Sequence, residues 1–312
     1  MTVLTPAVAV EAAAGRSPSR LVWERVRRDR TAVFGMAIVV LFVLIALAAP
    51  LLTWLNGWAP EEFDPSAIDQ NLAGVPKGTL GGISAQHWLG VEPVSGRDIF
   101  SRIVYGARIS LLISALATVV SVLLGTVFGL AAGYFGGWVD AAVSRIMDLL
   151  MSFPSLIFMI ALISVMPEGN RILLLVAIMG GFGWPYIGRI VRGQAITVKH
   201  REYVDAARVG GAMGGTILFR EILPNITAPI LVYATLSIPT NIGTEAALSF
   251  LGVGVRPPTA SWGQMIQESM LWYEVDPMYF LVPGLCLFLT VLAFTLFGDA
   301  LRDAIDPKGV RR

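Results

Sequence analysis

EYVDAARVGG, residues 202–211, has the period of a short amphipathic helix. Four positions spaced i, i+3, i+4 and i+7 share one face: Tyr203, Ala206, Ala207 and Gly210. Charged side chains border this face: Glu202, Asp205 and Arg208. Gly210-Gly211 is predicted to end the helix, because glycine adopts a left-handed turn without steric cost. The stretch therefore predicts a helix with a shallow face of small residues.

A second amphipathic stretch follows and is predicted to stop at Pro224. Its apolar positions are Ile217, Leu218, Phe219, Ile222 and Leu223. The two stretches together predict a helix–turn–helix, for which two interpretations are open. Amphipathic basic helices commonly rest on lipid headgroups, but such helices present large apolar side chains. Alanine and glycine instead suit close backbone approach inside a groove of another protein.

The composition of the whole chain indicates that its solvent is lipid. Of the 312 residues, 55% are hydrophobic and 14% charged, with a mean hydropathy of +0.70. Soluble domains usually carry about 25% charged residues. Apolar runs close to the ~20 residues that cross a bilayer core predict an all-α integral membrane protein with six transmembrane helices. We expect these helices at about 33–55, 109–134, 143–166, 171–190, 228–250 and 278–298.

The distribution of basic residues predicts the orientation of the chain. Most of the 23 Lys and Arg residues fall on one side if both termini are cytoplasmic, as the positive-inside rule requires. We then expect this organisation: cytoplasmic tails at 1–32 and 299–312, an extracytoplasmic loop at 56–108, a core at 109–298, and a cytoplasmic loop at 191–227.

The inner loop resembles the EAA motif of ABC importer permeases. The resemblance rests on Asp205-Ala206-Ala207, on Gly211, and on the ending Leu223-Pro224. Asp205 departs from the usual Glu, and Glu221 stands where many members have Ile. The resemblance implies a type I ABC importer permease fold, whose cytoplasmic coupling helix docks into an ATPase subunit. It implies these docking residues: Glu202, Tyr203, Asp205, Ala206, Ala207, Arg208, Gly210, Gly211, Leu223 and Pro224.

Further segments extend the resemblance over about 87–307 and narrow it to the dipeptide, oligopeptide and nickel branch. They are Gly96–Arg102, Tyr105–Leu111, Gly133–Asp140, Leu248–Gly252 with Pro257-Pro258 and Ser261-Trp262-Gly263, and Gly298–Pro307. Residues 90–95 are one residue longer than in that branch, and Ala300 replaces a common Gly. Such systems have two unlike permeases, and the chain resembles the second of them, the one of the dipeptide permease C type.

This resemblance implies the partners and the location. It implies a second, unlike permease, one or two ABC ATPase subunits, an extracytoplasmic substrate-binding protein, and the lipid of a bacterial cytoplasmic (inner) membrane. ATP and Mg would be bound by the ATPase subunits, because no lysine of this chain lies in a P-loop. We expect no cofactor, metal, nucleic-acid partner or catalytic residue in this chain: its 2 histidines are not spaced as a ligand pair, and no basic stripe with aromatics occurs.

Other functions remain to be compared with ATP-driven peptide import. The same complex type carries nickel or another small solute in some members of the branch. An ion-coupled secondary transporter would show repeated segments and charges at the membrane midplane, which are not evident in the sequence. A membrane-embedded enzyme lacks support, because Cys286 has no histidine nearby in sequence and no Gly-x-Ser-x-Gly elbow occurs.

Glu245 is the one acid in the apolar run predicted to form the fifth span. Carboxylates inside a membrane are costly and tend to mark a pathway. We consider two roles: a translocation-path residue, or a structural acid paired with a backbone donor or an arginine. Near the inner end of the third span lie Asp140, Arg145 and Asp148, of which Arg145 and Asp148 are spaced i, i+3. We expect an ion pair at the interface, with a proton relay as the alternative.

Overall fold

The computed structural model describes residues 18–167 and 169–305, and the described residues are predominantly helical. The predicted tails 1–32 and 299–312 therefore lie partly outside the described residues. The helices are α1 Pro18–Arg28, α2 Arg30–Leu47, α3 Ala49–Asn56, α4 Ile99–Phe135, α5 Gly137–Ser152, α6 Ser155–Val165, α7 Arg171–Val198, α8 Glu202–Val209, α9 Gly214–Thr216, α10 Leu223–Phe250, α11 Trp262–Ser269 and α12 Pro277–Ile305. A π-helical turn, Ile217–Ile222, joins α9 to α10, and two short antiparallel strands, β1 Ile68–Asp69 and β2 Val75–Pro76, lie between α3 and α4.

Five helical segments among the described residues are long and apolar enough to cross a membrane. They are α2, α4, α7, the continuous segment Gly214–Phe250, and α12. The pair α5 and α6 passes the same test together but is bent by 88° between Ser152 and Ser155. Because Pro154 lies in this break, its ring accounts for the interruption of the helical hydrogen bonds. The chain thus has five or six candidate spans, and six remains the prediction.

Several helices extend beyond the apolar windows that predicted them. Helix α4, which contains the second predicted span, begins at Ile99 rather than near 109. The Asp98 side chain accepts a hydrogen bond from the Ser101 amide at 2.8 Å and so caps the start of α4. The first predicted span divides at Ala48, with Pro50 in the first turn of α3. Hydropathy locates the part of a helix that meets lipid, whereas caps and prolines decide where the helix begins and ends.

Helices α4 and α7 pack closely along a row of glycines. Gly125, Gly129 and Gly133 recur every fourth residue and face α7. A Cβ atom added to Gly129 would lie 2.6 Å from the Gly188 carbonyl oxygen, which leaves no room for a side chain. Small residues at this spacing let the backbones of membrane helices approach, so dispersion contacts can hold them together.

The segment 57–98 is tied to the start of α4 by a buried polar cluster. His87 lies between two acids, with Nδ1 3.0 Å from Asp98 and Nε2 3.2 Å from Asp64. The indole of Trp58 stacks on the His87 ring at 4.6 Å between centroids. Asp98 also caps α4, so this cluster fixes the segment relative to the membrane helices.

Candidate functional site

Helix α8 is anchored to the membrane helices by its apolar side. Val204 is 0% exposed and belongs to a buried cluster with Ile217, Ile222 and Ile226. Burying a valine side chain contributes about 1.5–3 kcal/mol, which favours the orientation of α8 that places Val204 against the membrane helices. The helix therefore presents its remaining faces outward in a fixed orientation.

The small-residue face predicted from the sequence lies at the surface. Tyr203 is 41% exposed, Ala206 and Gly210 are exposed, and Ala207 is half-buried. The charged residues at its border are exposed: Glu202, Asp205 and Arg208. Arg208 donates to Asp205 at 3.0 Å, an exposed i, i+3 pair of the kind that contributes about 0.3–0.5 kcal/mol.

The turn after α8 is a Schellman motif centred on Gly211. The Ala212 amide donates to the Ala207 carbonyl at 3.0 Å, and the Gly211 amide donates to the Arg208 carbonyl at 3.1 Å. Gly211 has φ +82°, so the predicted left-handed turn is present there. Gly210 has φ −68°, so it caps the helix without sharing the left-handed conformation of Gly211.

Pro224 does not stop the second amphipathic stretch, and that expectation was wrong. The π-turn Ile217–Ile222 runs directly into α10, and Pro224 occupies its first turn. A proline fits there because its φ is that of a helix and because Pro224 lies at the junction where π-helical hydrogen bonding gives way to α-helical bonding. Leu223 is half-buried and Pro224 is exposed, so the predicted helix–turn–helix is a short helix followed by the start of a long one.

Two exposed apolar residues beside the turn were missed from the sequence. Val209 is 90% exposed and Met213 is 81% exposed, on either side of the Gly210–Ala212 turn. Helical periodicity gave no signal for them, because Met213 lies beyond α8 and Val209 falls off the small-residue face. Large apolar side chains held in solvent next to an anchored helix suit contact with another protein.

The acids near the start of the third span form their ion pairs with arginines of α7 and not with Arg145 of their own helix. Asp148 bonds Arg189, and Asp140 accepts two bonds from Arg192, one of them at 2.7 Å from Nη2. The predicted pair of Arg145 with Asp148 is thus replaced by a contact across helices. These pairs link α5 to the helix that leads into the loop of α8.

Glu245 is 0% exposed and surrounded by hydroxyl groups. Ser249 donates its hydroxyl to Glu245 Oε1 at 2.8 Å, and its oxygen accepts from the Val255 amide at 3.0 Å. The hydroxyls of Ser110 and Ser261 also lie near the Glu245 carboxyl group, although Glu245 Oε2 accepts no hydrogen bond. This geometry supports a structural acid that holds the turn after α10, with serines where we expected a backbone donor or an arginine.

The described residues contain no group of three or more His, Cys, Asp or Glu side chains arranged to hold a metal ion. Asp64 and Asp98 lie together with His87, but both carboxyl groups bond to the His87 ring. The hydrogen bond from the Ser66 hydroxyl lowers the pKa of Asp64, burial opposes this effect, and the hydrogen bond with His87 lowers the pKa further. Their oxygens and ring nitrogens are already used in holding segment 57–98.

Comparison with known proteins identifies the family of the chain. The family described as "Binding-protein-dependent transport system inner membrane component" matches residues 125–310, and the "N-terminal TM domain of oligopeptide transport permease C" matches residues 17–73. The dipeptide transport system permease protein DppC of Alkalihalophilus pseudofirmus is 40% identical over 293 residues, covering 94% of this chain and 90% of the relative. The glutathione transport system permease protein GsiD of Pectobacterium atrosepticum is 40% identical over 294 residues, covering 94% and 92%.

These relatives are permeases, so the chain is a transport subunit and not an enzyme. Its long apolar helices agree with a multi-pass membrane protein. The chain belongs to the family of inner-membrane permeases of binding-protein-dependent ABC transport systems.

Proposed function

We propose that this chain forms half of the translocation path of an ATP-driven importer of di- and oligopeptides. The observation that carries the proposal is the anchored, outward-facing helix α8 with its left-handed Gly211 turn, at the position of the EAA-type sequence. The peptide cargo is supported by the names of two relatives, a dipeptide permease and a permease for glutathione, which is itself a peptide.

The proposed complex contains further subunits. A second, unlike permease completes the path, one or two ATPase subunits bind ATP and Mg, and an extracytoplasmic binding protein delivers the peptide. Both termini and the 191–227 loop lie in the cytoplasm of a bacterium, and the 56–108 region, including the first turns of α4, lies outside. The basic residues of the inner segments support this orientation.

In this complex, α8 docks in a groove of the ATPase. The small side chains of Ala206 and Gly210 allow the groove wall to approach the helix backbone, while Val209 and Met213 add apolar contact area. The exposed charges of Asp205 and Arg208 lie at the rim, where they favour one orientation of the partner. Leu223 and Pro224, which were also predicted to dock, form the start of α10.

The test is to enlarge one exposed small residue. Overpacking a tight site costs about 1–3 kcal/mol, and a loss of 2.7 kcal/mol weakens binding about a hundredfold. Ala206→Trp should therefore lose the ATPase during purification while the two permeases stay together. Ala206 is preferable to the half-buried Ala207, because a large side chain at Ala206 does not disturb the fold of this chain.

Ala206→Ser is the matched control, because it keeps a small side chain at the same position. Both variants are purified through a tag on the second permease, and co-eluting ATPase and peptide uptake in cells are measured. Normal uptake by Ala206→Trp with the ATPase still bound would refute docking through this face, and α8 would then be a helix that rests on lipid headgroups.

A further inference from the structure

A cavity of about 370 Å³ opens halfway along the membrane helices. The cavity is bounded by the short helix α6 and by the middle parts of the long helices α4, α7 and α10. Its lining combines apolar side chains with a polar group on α10 formed by Tyr233, Ser237, Thr240, Asn241 and Thr244. Polar residues at membrane depth that face a cavity mark a substrate path.

The hydroxyl groups of Ser237 and Thr244 lie along the α10 side of this wall, and their protons are already engaged. The Ser237 hydroxyl donates to the Tyr233 carbonyl at 2.7 Å, and the Thr244 hydroxyl donates to the Thr240 carbonyl at 2.9 Å. Hydroxyls that donate to their own helix present oxygen lone pairs on their other side. This part of the wall therefore accepts hydrogen bonds from whatever occupies the cavity.

Asn241 is held in one orientation by a neighbouring helix. Its Nδ2 donates to the Thr118 hydroxyl of α4 at 2.8 Å, and that hydroxyl donates in turn to the Ser114 carbonyl at 2.8 Å. The amide nitrogen is thus directed at α4, which leaves the Asn241 carbonyl oxygen as a further acceptor. A fixed side chain forms a hydrogen bond to a ligand at less entropic cost than a mobile one.

Among the residues that the structure describes, no charged side chain lines this cavity. The nearest acid along α10, Glu245, is turned into the protein and fully buried. In a water-filled cavity, a charge in the wall would hold an oppositely charged substrate several-fold more tightly, and it would weaken the binding of a like-charged one by a similar factor. Passage requires contacts weak enough to release the substrate, which an uncharged wall provides.

We infer that this cavity is a transit site that binds the main-chain N–H groups of peptides and is indifferent to the charge of their side chains. Every peptide bond other than one to proline offers an N–H group, whatever the side chains are. Ser237, Thr240 and Asn241 would carry this contact. The inference rests on the proposed import of peptides and adds the chemistry by which the path admits them.

The test places opposite charges at one position of the wall. In the complete complex in proteoliposomes, uptake of a labelled neutral tripeptide is inhibited with an acidic or a basic tripeptide. The quantity compared is the ratio of the inhibition constant of the acidic peptide to that of the basic peptide. Thr240→Asp should raise this ratio about tenfold above its wild-type value. Thr240→Lys should shift the ratio in the opposite direction, because retention follows the sign of the wall charge.

Two further pairs of variants make the result decisive. Ser237→Asp and Ser237→Lys should repeat the opposite shifts if a Thr240 variant fails to assemble. Thr227→Asp and Thr227→Lys, in the first turns of α10 and away from the cavity, should leave the ratio unchanged. Equal or same-direction shifts at Thr240 and Ser237, with peptide uptake by the wild type intact, would overturn the transit site alone. A wild-type complex that imports no peptide would instead overturn the proposed function.

Discussion

The glycine row between α4 and α7 gives a quantitative prediction for Gly129→Ala. The new Cβ atom would lie 2.6 Å from the Gly188 carbonyl oxygen and 2.8 Å from the Val191 Cβ atom. Real Cβ atoms essentially never come within 3.0 Å of such neighbours, so one helix must move. Both obstructing atoms belong to or adjoin the backbone of α7 and cannot turn away as the end of a side chain would.

The magnitude follows from two opposing terms. Alanine favours a helix over glycine by about 0.8–1 kcal/mol, whereas overpacking costs about 1–3 kcal/mol. Gly193→Ala in α7 is the matched control, because a Cβ atom there meets nothing within 4 Å and gains the same helical preference. The difference between the two variants isolates the packing cost of about 1–3 kcal/mol.

The assay is the thermal midpoint of the purified complex in detergent, measured for both variants under one condition. Each kcal/mol lowers the midpoint of a 312-residue chain by about 1.5 °C, so Gly129→Ala should unfold about 1.5–4.5 °C below Gly193→Ala. Equal midpoints would refute the close approach of α4 and α7 as the source of their association.

Three more outcomes are expected. Gly211→Ala should cost about 1–2 kcal/mol through its positive φ and reduce co-purifying ATPase, as measured by quantitative blotting. Glu245→Gln should reduce the yield of assembled complex but leave the preference among peptides unchanged in competition uptake; a changed preference in an assembled complex would support the path role. After Cys286→Ser, a cysteine in place of exposed Ala85 should react with an impermeant thiol reagent in intact cells, and one in place of Thr216 only after lysis.

The parts of the site that depend on neighbouring residues were predictable from the sequence. The period of residues 202–209 gives a helix, and Gly211 supplies the left-handed turn, because both depend on hydrogen bonds within a few residues. The apolar windows likewise predicted where the long helices lie. Their ends were less accurate, since the cap at Asp98 and the break at Pro154 act on single turns that a hydropathy average does not resolve.

The parts that depend on distant residues were not predictable. Asp148 has Arg145 at helical spacing but bonds Arg189, 41 residues away, because the bend between α5 and α6 and the packing on α7 decide the partner. The buried position of Val204 depends on the π-turn that brings Ile222 against it. Serine and threonine in a membrane helix bond their own carbonyls wherever they lie, so the cavity wall of α10 has no distinct local pattern.

The two candidate sites are joined by one helix. Val204 of α8 belongs to the same buried cluster as Ile222, and the chain continues from there as α10 to Thr240 and Asn241 in the cavity wall. At 1.5 Å per residue, about 25 Å of helix separates the start of α10 from Thr240. A displacement of α8 must move the buried cluster or break it, because close-packed interiors deform little. Breaking the cluster would expose Val204 and Ile222 to water, so a movement of α10 together with α8 costs less free energy. Such a joint movement would connect the surface proposed to meet the ATPase with the wall proposed to meet the peptide.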